Sequence, residues 1–235
     1  MLRLRFTTRH LAAAFVVLGL LLAWLSHRIH CGKSEETAVK LLEPFCVIDH
    51  DFELDSDGGY TTNPPPGAAI LRRLLGPYFF QHVVRINFTW MTANESPKLK
   101  SLKYLHQLRE IYLDHTTCSD NDCDTLSKVT TPEVLSVRHC PISDKGVAAL
   151  SSLRSLKWLA LDDTDITDQS LTHLRKLDQL ESISIASTSI SDGGLRSLEG
   201  MTSLQYICVA NTNVTQGGVA RLRHALPNSK VIVSE

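Results

Sequence analysis

Residues 156 to 227 repeat one apolar–polar pattern three times without a gap. The units are LKWLALDDTDITDQSLTHLRKLDQ from Leu156, LESISIASTSISDGGLRSLEGMTS from Leu180 and LQYICVANTNVTQGGVARLRHALP from Leu204. With the first residue of each 24-residue unit as position 0, apolar residues recur at positions 0, 3, 5, 10, 15, 18 and 21. Positions 3 and 5 alternate like one face of a strand. Positions 15, 18 and 21 are spaced like one face of a helical turn. Thr167, Ser191 and Thr215 stand just before that turn, where an N-cap belongs. Asp168 and Asp192 follow, where the helix dipole favours an anion. Each unit therefore predicts a strand, a turn, a short capped helix and a return. A single unit cannot bury its apolar face, whereas stacked units bury it against each other, which makes a solenoid.

The pattern extends backwards. From Pro132, the residues Leu135, Val137, Cys140, Ile142, Val147, Leu150 and Leu153 fall on the pattern, and only Pro132 departs from it. From Leu108, Ile111, Leu113, Thr116, Cys118, Cys123, Leu126 and Val129 fit. A looser unit starts at Val83, with Ile86 and Phe88 as its strand pair and Leu99, Leu102 and Leu105 as its helix face after one inserted residue. The solenoid is thus predicted over 83–227 as about six coils, with a closing strand at Val231–Val233 inside 228–235. An end coil would expose its core, so residues 31–82 are assigned to an αβ cap. This region predicts a helix over Glu35–Glu43, a strand over Phe45–Leu54, a turn-rich loop over Ser56–Pro66 and an amphipathic helix over Gly67–Leu75.

Residues 1–30 change the picture from a plain solenoid to a tethered one. MLRLRFTTRH is basic, and Leu11 to Leu25 carry no charge. This run of 15 residues is shorter than the roughly 20 that cross a bilayer. Residues 26–29 extend it if Arg28 snorkels to the headgroups, with Trp24 at the interface. No A-x-A-like site follows the apolar run. The expectation is an uncleaved single-pass anchor over residues 11–29, with a cleaved signal or a buried helix as alternatives. The basic flank predicts a cytoplasmic N-terminus and repeats on the extracytoplasmic side.

The consensus LxxLxLxxTxITDxGLxxLxxL, seen over Leu180–Met201, resembles the leucine-rich repeat superfamily. It is most similar to the bacterial 24-residue type of envelope-associated proteins with an N-terminal apolar segment. The resemblance covers residues 83–226. It implies an α/β solenoid with a concave parallel sheet and convex short helices, and recognition of proteins through the concave face. Many family members carry Asn at position 8, where this chain has Thr or Cys.

The candidate chemistry lies at positions 2, 4, 6 and 7, which the pattern turns away from the core. Position 2 gives Arg85, Glu110, Val134, Trp158, Ser182 and Tyr206, and position 4 brings Tyr112 beside them. Aromatic residues and Arg anchor interfaces. Arg85, Tyr112, Arg138, His139, Trp158, Asp162 and Tyr206 are therefore the predicted binding residues. At position 6, Thr89, Asp114, Arg138 and Asp162 read as cross-strand charge pairing. At position 7, Trp90, His115, His139 and Asp163 include metal-ligating side chains, but no spacing motif accompanies them and no metal is expected. Cys118, Cys123 and Cys140 fall on core positions as small apolar residues, with a Cys118–Cys140 bridge as an alternative. Sequons at Asn87, Asn94 and Asn213 matter only in a glycosylating pathway.

A net charge of −1 gives no electrostatic footprint for nucleic acid. No nucleophile elbow, zinc-hydrolase or phosphate-loop motif is present, so no enzyme and no cofactor are expected. The sequence reads as a membrane-anchored binding module for a protein partner. A self-associating scaffold of the cell envelope is the alternative.

Overall fold

The computed structural model describes residues 8–44, 46–50, 73–75, 82–88, 99–129 and 132–233, with side chains from Val16 onward. The predicted Ser56–Pro66 loop, most of the Gly67–Leu75 helix, Thr89, Trp90 and the Asn94 sequon lie outside these residues.

One sheet of eight strands runs in chain order: β1 (Val47–His50), β2 (Val83–Asn87), β3 (Glu110–Tyr112), β4 (Val134–Ser136), β5 (Trp158–Ala160), β6 (Ser182–Ser184), β7 (Tyr206–Cys208) and β8 (Lys230–Ile232). From β2 onward every pairing is parallel and joins residues at equal repeat positions. Ile86, Ile111, Leu135, Leu159, Ile183, Ile207 and Val231 thus form one row, fully buried apart from Val231 at 6% exposure. Slipping any strand by one residue would turn this row to solvent, and that cost fixes the register.

Short helices line the other side of the core: α2 (Asp120–Leu126), α3 (Asp144–Leu150), α4 (Asp168–Leu174), α5 (Asp192–Leu195) and α6 (Gln216–Ala225). In the first coil, Leu99–Tyr104 form a 3-10 turn that buries Leu99 and Leu102. Ser143, Thr167, Ser191 and Thr215 cap their helices by accepting backbone N–H bonds, as the pattern predicts.

The Asp that follows each cap does more than face the helix dipole. Asp120 accepts from the backbone N–H and hydroxyl of Ser143 and from Gly146 N–H, all in the next coil. Asp144 does the same for Thr167 and Ser170, Asp168 for Ser191, and Asp192 for Thr215. Burial pushes the Asp144 carboxyl up, but the bonds from Ser170 and Thr167 outweigh it and hold the group below its ordinary value. The bonds from Thr215 lower Asp192 likewise. A Cβ on Gly146, Gly194 or Gly218 would sit 2.6, 2.5 or 2.1 Å from the preceding coil's Asp, so the glycine in the repeat marks a close approach.

The N-terminal end departs from the expected layout. In place of a span and a separate cap helix, one helix, α1, runs from Thr8 to Leu42 and ends before Pro44. Among the described residues no helix is long and apolar enough to cross a membrane, so the span expected over 11–29 is not supported. The uncharged run is too short, and the part that was to extend it is engaged with protein. Arg28 Nη1 lies 2.9 Å from His82 Nε2 instead of snorkelling. Glu35, 1% exposed, accepts from Val83 N–H at 2.8 Å and lies 3.2 Å from His82 Nδ1. Ala38, Val39 and Leu42 complete the seal over the end of the core, and β1 pairs antiparallel to β2.

Candidate binding face

Strand alternation turns positions 2 and 4 away from the core, and parallel stacking about 4.8 Å apart sets equal positions side by side. Arg85, Glu110, Val134, Trp158, Ser182, Tyr206 and Lys230 form one such row. Asn87, Tyr112, Ser136, Ala160, Ser184, Cys208 and Ile232 form the next.

At the N-terminal end Arg85 and Tyr112 meet on Glu110, a residue outside the predicted set. Arg85 donates to both Glu110 oxygens, at 2.6 and 3.2 Å, and the Tyr112 hydroxyl donates to Glu110 Oε2 at 3.0 Å. Asp49, from β1, lies 3.5 Å from Arg85. The bonds from Glu110 hold Arg85 above the ordinary arginine value. Burial and the Glu110 charge push Tyr112 up to about 12. These groups satisfy one another, which suits a rigid end to the sheet.

Toward the C-terminus the other predicted residues converge. The Tyr112 and Trp158 rings are 6.4 Å apart and tilted by 47°. The Arg138 guanidinium lies 5.3 Å from the Trp158 ring centre, a cation–π contact, and its Nε is 2.8 Å from Asp162. Asp162 also accepts from Ser184 Oγ at 2.5 Å and from Ala186 N–H at 2.8 Å. Asp114 does the same for Ser136 Oγ and Arg138 N–H. The two carboxylates therefore tie the ends of adjacent strands together, and Asp162 also balances the Arg138 charge. Lys230 sits 5.9 Å from the Tyr206 ring centre. Arg138, His139, Trp158, Asp162 and Tyr206 line a hollow of 560 Å³ over β5 to β7, and Arg85 and Tyr112 lie outside it. Asp163, Ser182, Ser184, Ser187 and Cys208 also line it. Sequence reasoning passed over the small residues because each alone looks like filler. The signal was their succession along a single strand.

Position 7 needs correction, because it is not a strand position. His115, His139, Asp163, Ser187 and Asn211 all have φ between 52 and 57°. This left-handed turn ends each strand, which explains the polar residues there, since His, Asp and Asn tolerate it best. His139 Nδ1 lies 2.5 Å from Asp163, and the His115 and His139 rings stack at 4.1 Å. Among the described residues no cluster is arranged to hold a metal. All six cysteines are free thiols, so Cys118 and Cys140 are not bridged. Hydrogen bonding to Cys123 and burial hold Cys118 far above the ordinary thiol value, and Cys140 donates to Leu113 O at 3.1 Å. At position 8, Thr116, Thr164, Thr188 and Thr212 each donate to the carbonyl three residues back. A hydroxyl thus satisfies backbone at the turn where other repeat classes place Asn.

No protein-family model matches the chain, and no curated protein matches it in sequence. Solved structures with similar folds include an internalin from Listeria monocytogenes, at TM-score 0.49 and 19% identity, covering 57% of this chain and 36% of that one. A leucine-rich repeat protein from Leptospira interrogans gives 0.47 and 15%, covering 63% and 36%. Internalin C2 from Listeria monocytogenes gives 0.36 and 15%, covering 65% and 81%. The chain spans about a third of the length of the first two.

Proposed function

We propose that this leucine-rich repeat solenoid is a protein-binding module that uses the open face of its sheet, and that its apolar N-terminal helix anchors it at a membrane. The observation behind the first part is the hollow over β5 to β7, where two aromatic side chains, an ion pair and a run of hydroxyls share one surface. Aromatic anchors in a water-excluding depression carry most of the energy of an interface. The second part is supported by Val16, Val17, Leu18, Leu20, Leu21, Leu22 and Trp24, each at least half exposed on one stretch of α1. Apolar patches of this kind mark membrane or protein contacts.

Crosslinking in native membranes followed by mass spectrometry tests the face. Trp158→Ala should weaken partner capture at least about tenfold with little change in the thermal transition. Arg175→Ala with Arg196→Ala, on the helix side, should leave capture intact. Capture lost in the second pair and kept in the first would move the partner to the other face. A dominant product of the chain with itself, abolished by Trp158→Ala, would assign the face to a second copy. For the anchor, the chain should sediment with membranes through its exposed apolar stretch, and recovery in the soluble fraction overturns it. A soluble product starting near residue 30 would replace the anchor with a cleaved signal. Digestion of the repeats by protease added outside intact cells is the outcome expected for extracytoplasmic repeats.

A further inference from the structure

The side chains that β6 and its turn present to the open face are all small: Ser182, Ser184, Ala186 and Ser187. The flanking strands carry Trp158 on one side and Tyr206 on the other, both in register with Ser182. The hollow is therefore a trench running along β6 with an aromatic wall at each side. Its walls stand two strand spacings apart, about 10 Å. This width admits one extended chain, but a helix with its side chains is about 10–12 Å across and would rest on the rims.

The chemistry of the walls narrows the occupant further. Trp158 already holds Arg138 and Tyr112, both from preceding coils, and Tyr206 holds Lys230 from the following one. Each ring thus carries a cation from the side away from β6. A second cation between the rings would be repelled by both, so the trench favours an apolar group. Arg138 is neutralised by Asp162, and His139 faces Asp163. Lys230 makes no ion pair among the described residues, and it stands just beyond the Tyr206 wall, against that ring on the side away from β6.

We propose that the trench takes an extended peptide segment of a protein partner, with a bulky apolar side chain seated over Ser182 between Trp158 and Tyr206 and an adjacent carboxylate paired with Lys230. The proposal rests on the open-face reading above and adds the partner's conformation and chemistry. Two kinds of recognition are combined: apolar burial between the rings sets where the segment sits, and the charge sets which side of the anchor residue carries the acid.

The test uses the full chain, with the Trp158 indole N–H followed by NMR as short capped peptides are added. The peptides are Gly-Gly-Leu-Glu-Gly-Gly and its Leu-Gln, Leu-Lys and Ala-Glu counterparts. The Leu-Glu peptide should shift the indole signal at millimolar concentration, and the Ala-Glu peptide should not. Ser182→Trp fills the trench and should abolish the shift, with its thermal transition confirming that it is folded. Lys230→Glu should weaken the Leu-Glu peptide about two- to fivefold, as expected for an exposed ion pair, and favour Leu-Lys instead. A Leu-Glu shift that persists in Ser182→Trp, or equal binding of all four peptides, overturns the proposal. So does a shift produced by an N-acetylglucosamine tetramer and by none of the peptides, which would assign the trench to a glycan. If Trp158→Ala abolishes partner capture while Ser182→Trp leaves it intact, the open-face reading stands and the trench proposal fails. If neither matters, both fail.

Discussion

The two sides of the same coils are built on opposite rules. On the helix side, position 12 is Asp120, Asp144, Asp168 and Asp192 in four consecutive coils, and each carboxylate closes on the cap of the coil after it. On the open side, position 2 runs Arg85, Glu110, Val134, Trp158, Ser182 and Tyr206, with no two alike. Stacking demands one solution repeated, because every coil meets the same neighbour. Recognition demands a surface that differs from place to place. Within one chain, uniform rows therefore mark what holds the solenoid together, and the varied rows belong to the face proposed above to meet a partner.

The comparison breaks most sharply in the core. Leu159→Ala should cost about 2–5 kcal/mol in denaturant unfolding through its cavity, whereas Trp158→Ala, one residue away on the varied row, should cost well under half of that. Equal losses would show that the two sides are not separate. The next largest effect is a change of sign between adjacent glycines. An added Cβ at Gly218 would meet Asp192 at 2.1 Å, while at Gly217 the nearest atom is Thr215 Oγ1 at 3.5 Å. Gly218→Ala should destabilise by about 1–3 kcal/mol through overpacking, and Gly217→Ala should stabilise by about 0.4–1 kcal/mol through the unfolded chain. Calorimetry that finds both changes equal would sink the close-approach account.

Acid should act on the uniform row. Asp144 and Asp192 are held below their ordinary values, so their contribution is fully present above the unfolded carboxylate range, near about 3.9. It is lost as pH falls through the still lower folded values. The denaturation midpoint should therefore stay flat from neutral pH to about 5 and fall below about 4, and Asp144→Asn should blunt that fall. The smallest effect belongs to exposed charges on the helix side. Arg175→Ala and Arg196→Ala should each stay within about 0.5 kcal/mol by the same unfolding measurement.

These expectations rest on a register that was legible in the sequence. Period-2 strand positions and spaced helix positions named the buried rows, and the pairing of Leu135 with Leu159, and of Leu159 with Ile183, follows from counting. What counting missed lies in contacts between units or outside the period. A left-handed residue such as His139 looks like one more strand position when only polarity is scored. Asp168 looks like a helix-dipole residue until the next coil is placed against it. Glu35 reads as the first residue of a cap helix, and only the fold brings His82 and the Val83 N–H against the buried carboxylate. Trp158, Tyr206 and their neighbours were recoverable as a candidate surface, but the trench between the two rings required seeing the small residues of β6 as a set.

The carboxylate row also gives the solenoid a direction. Each Asp reaches forward, from its own coil to the cap of the next, so on the helix side coil n completes the cap of coil n+1. A nearest-neighbour chain with such one-way bonds should zip asymmetrically. Coils trimmed from the C-terminal end would leave every remaining cap supplied, whereas loss of a coil from the other end strips the anion from the one that follows. Assembly that begins beside α1 and travels toward β8 meets a prepared site at each step, while assembly in the reverse sense must place each helix before its capping carboxylate exists.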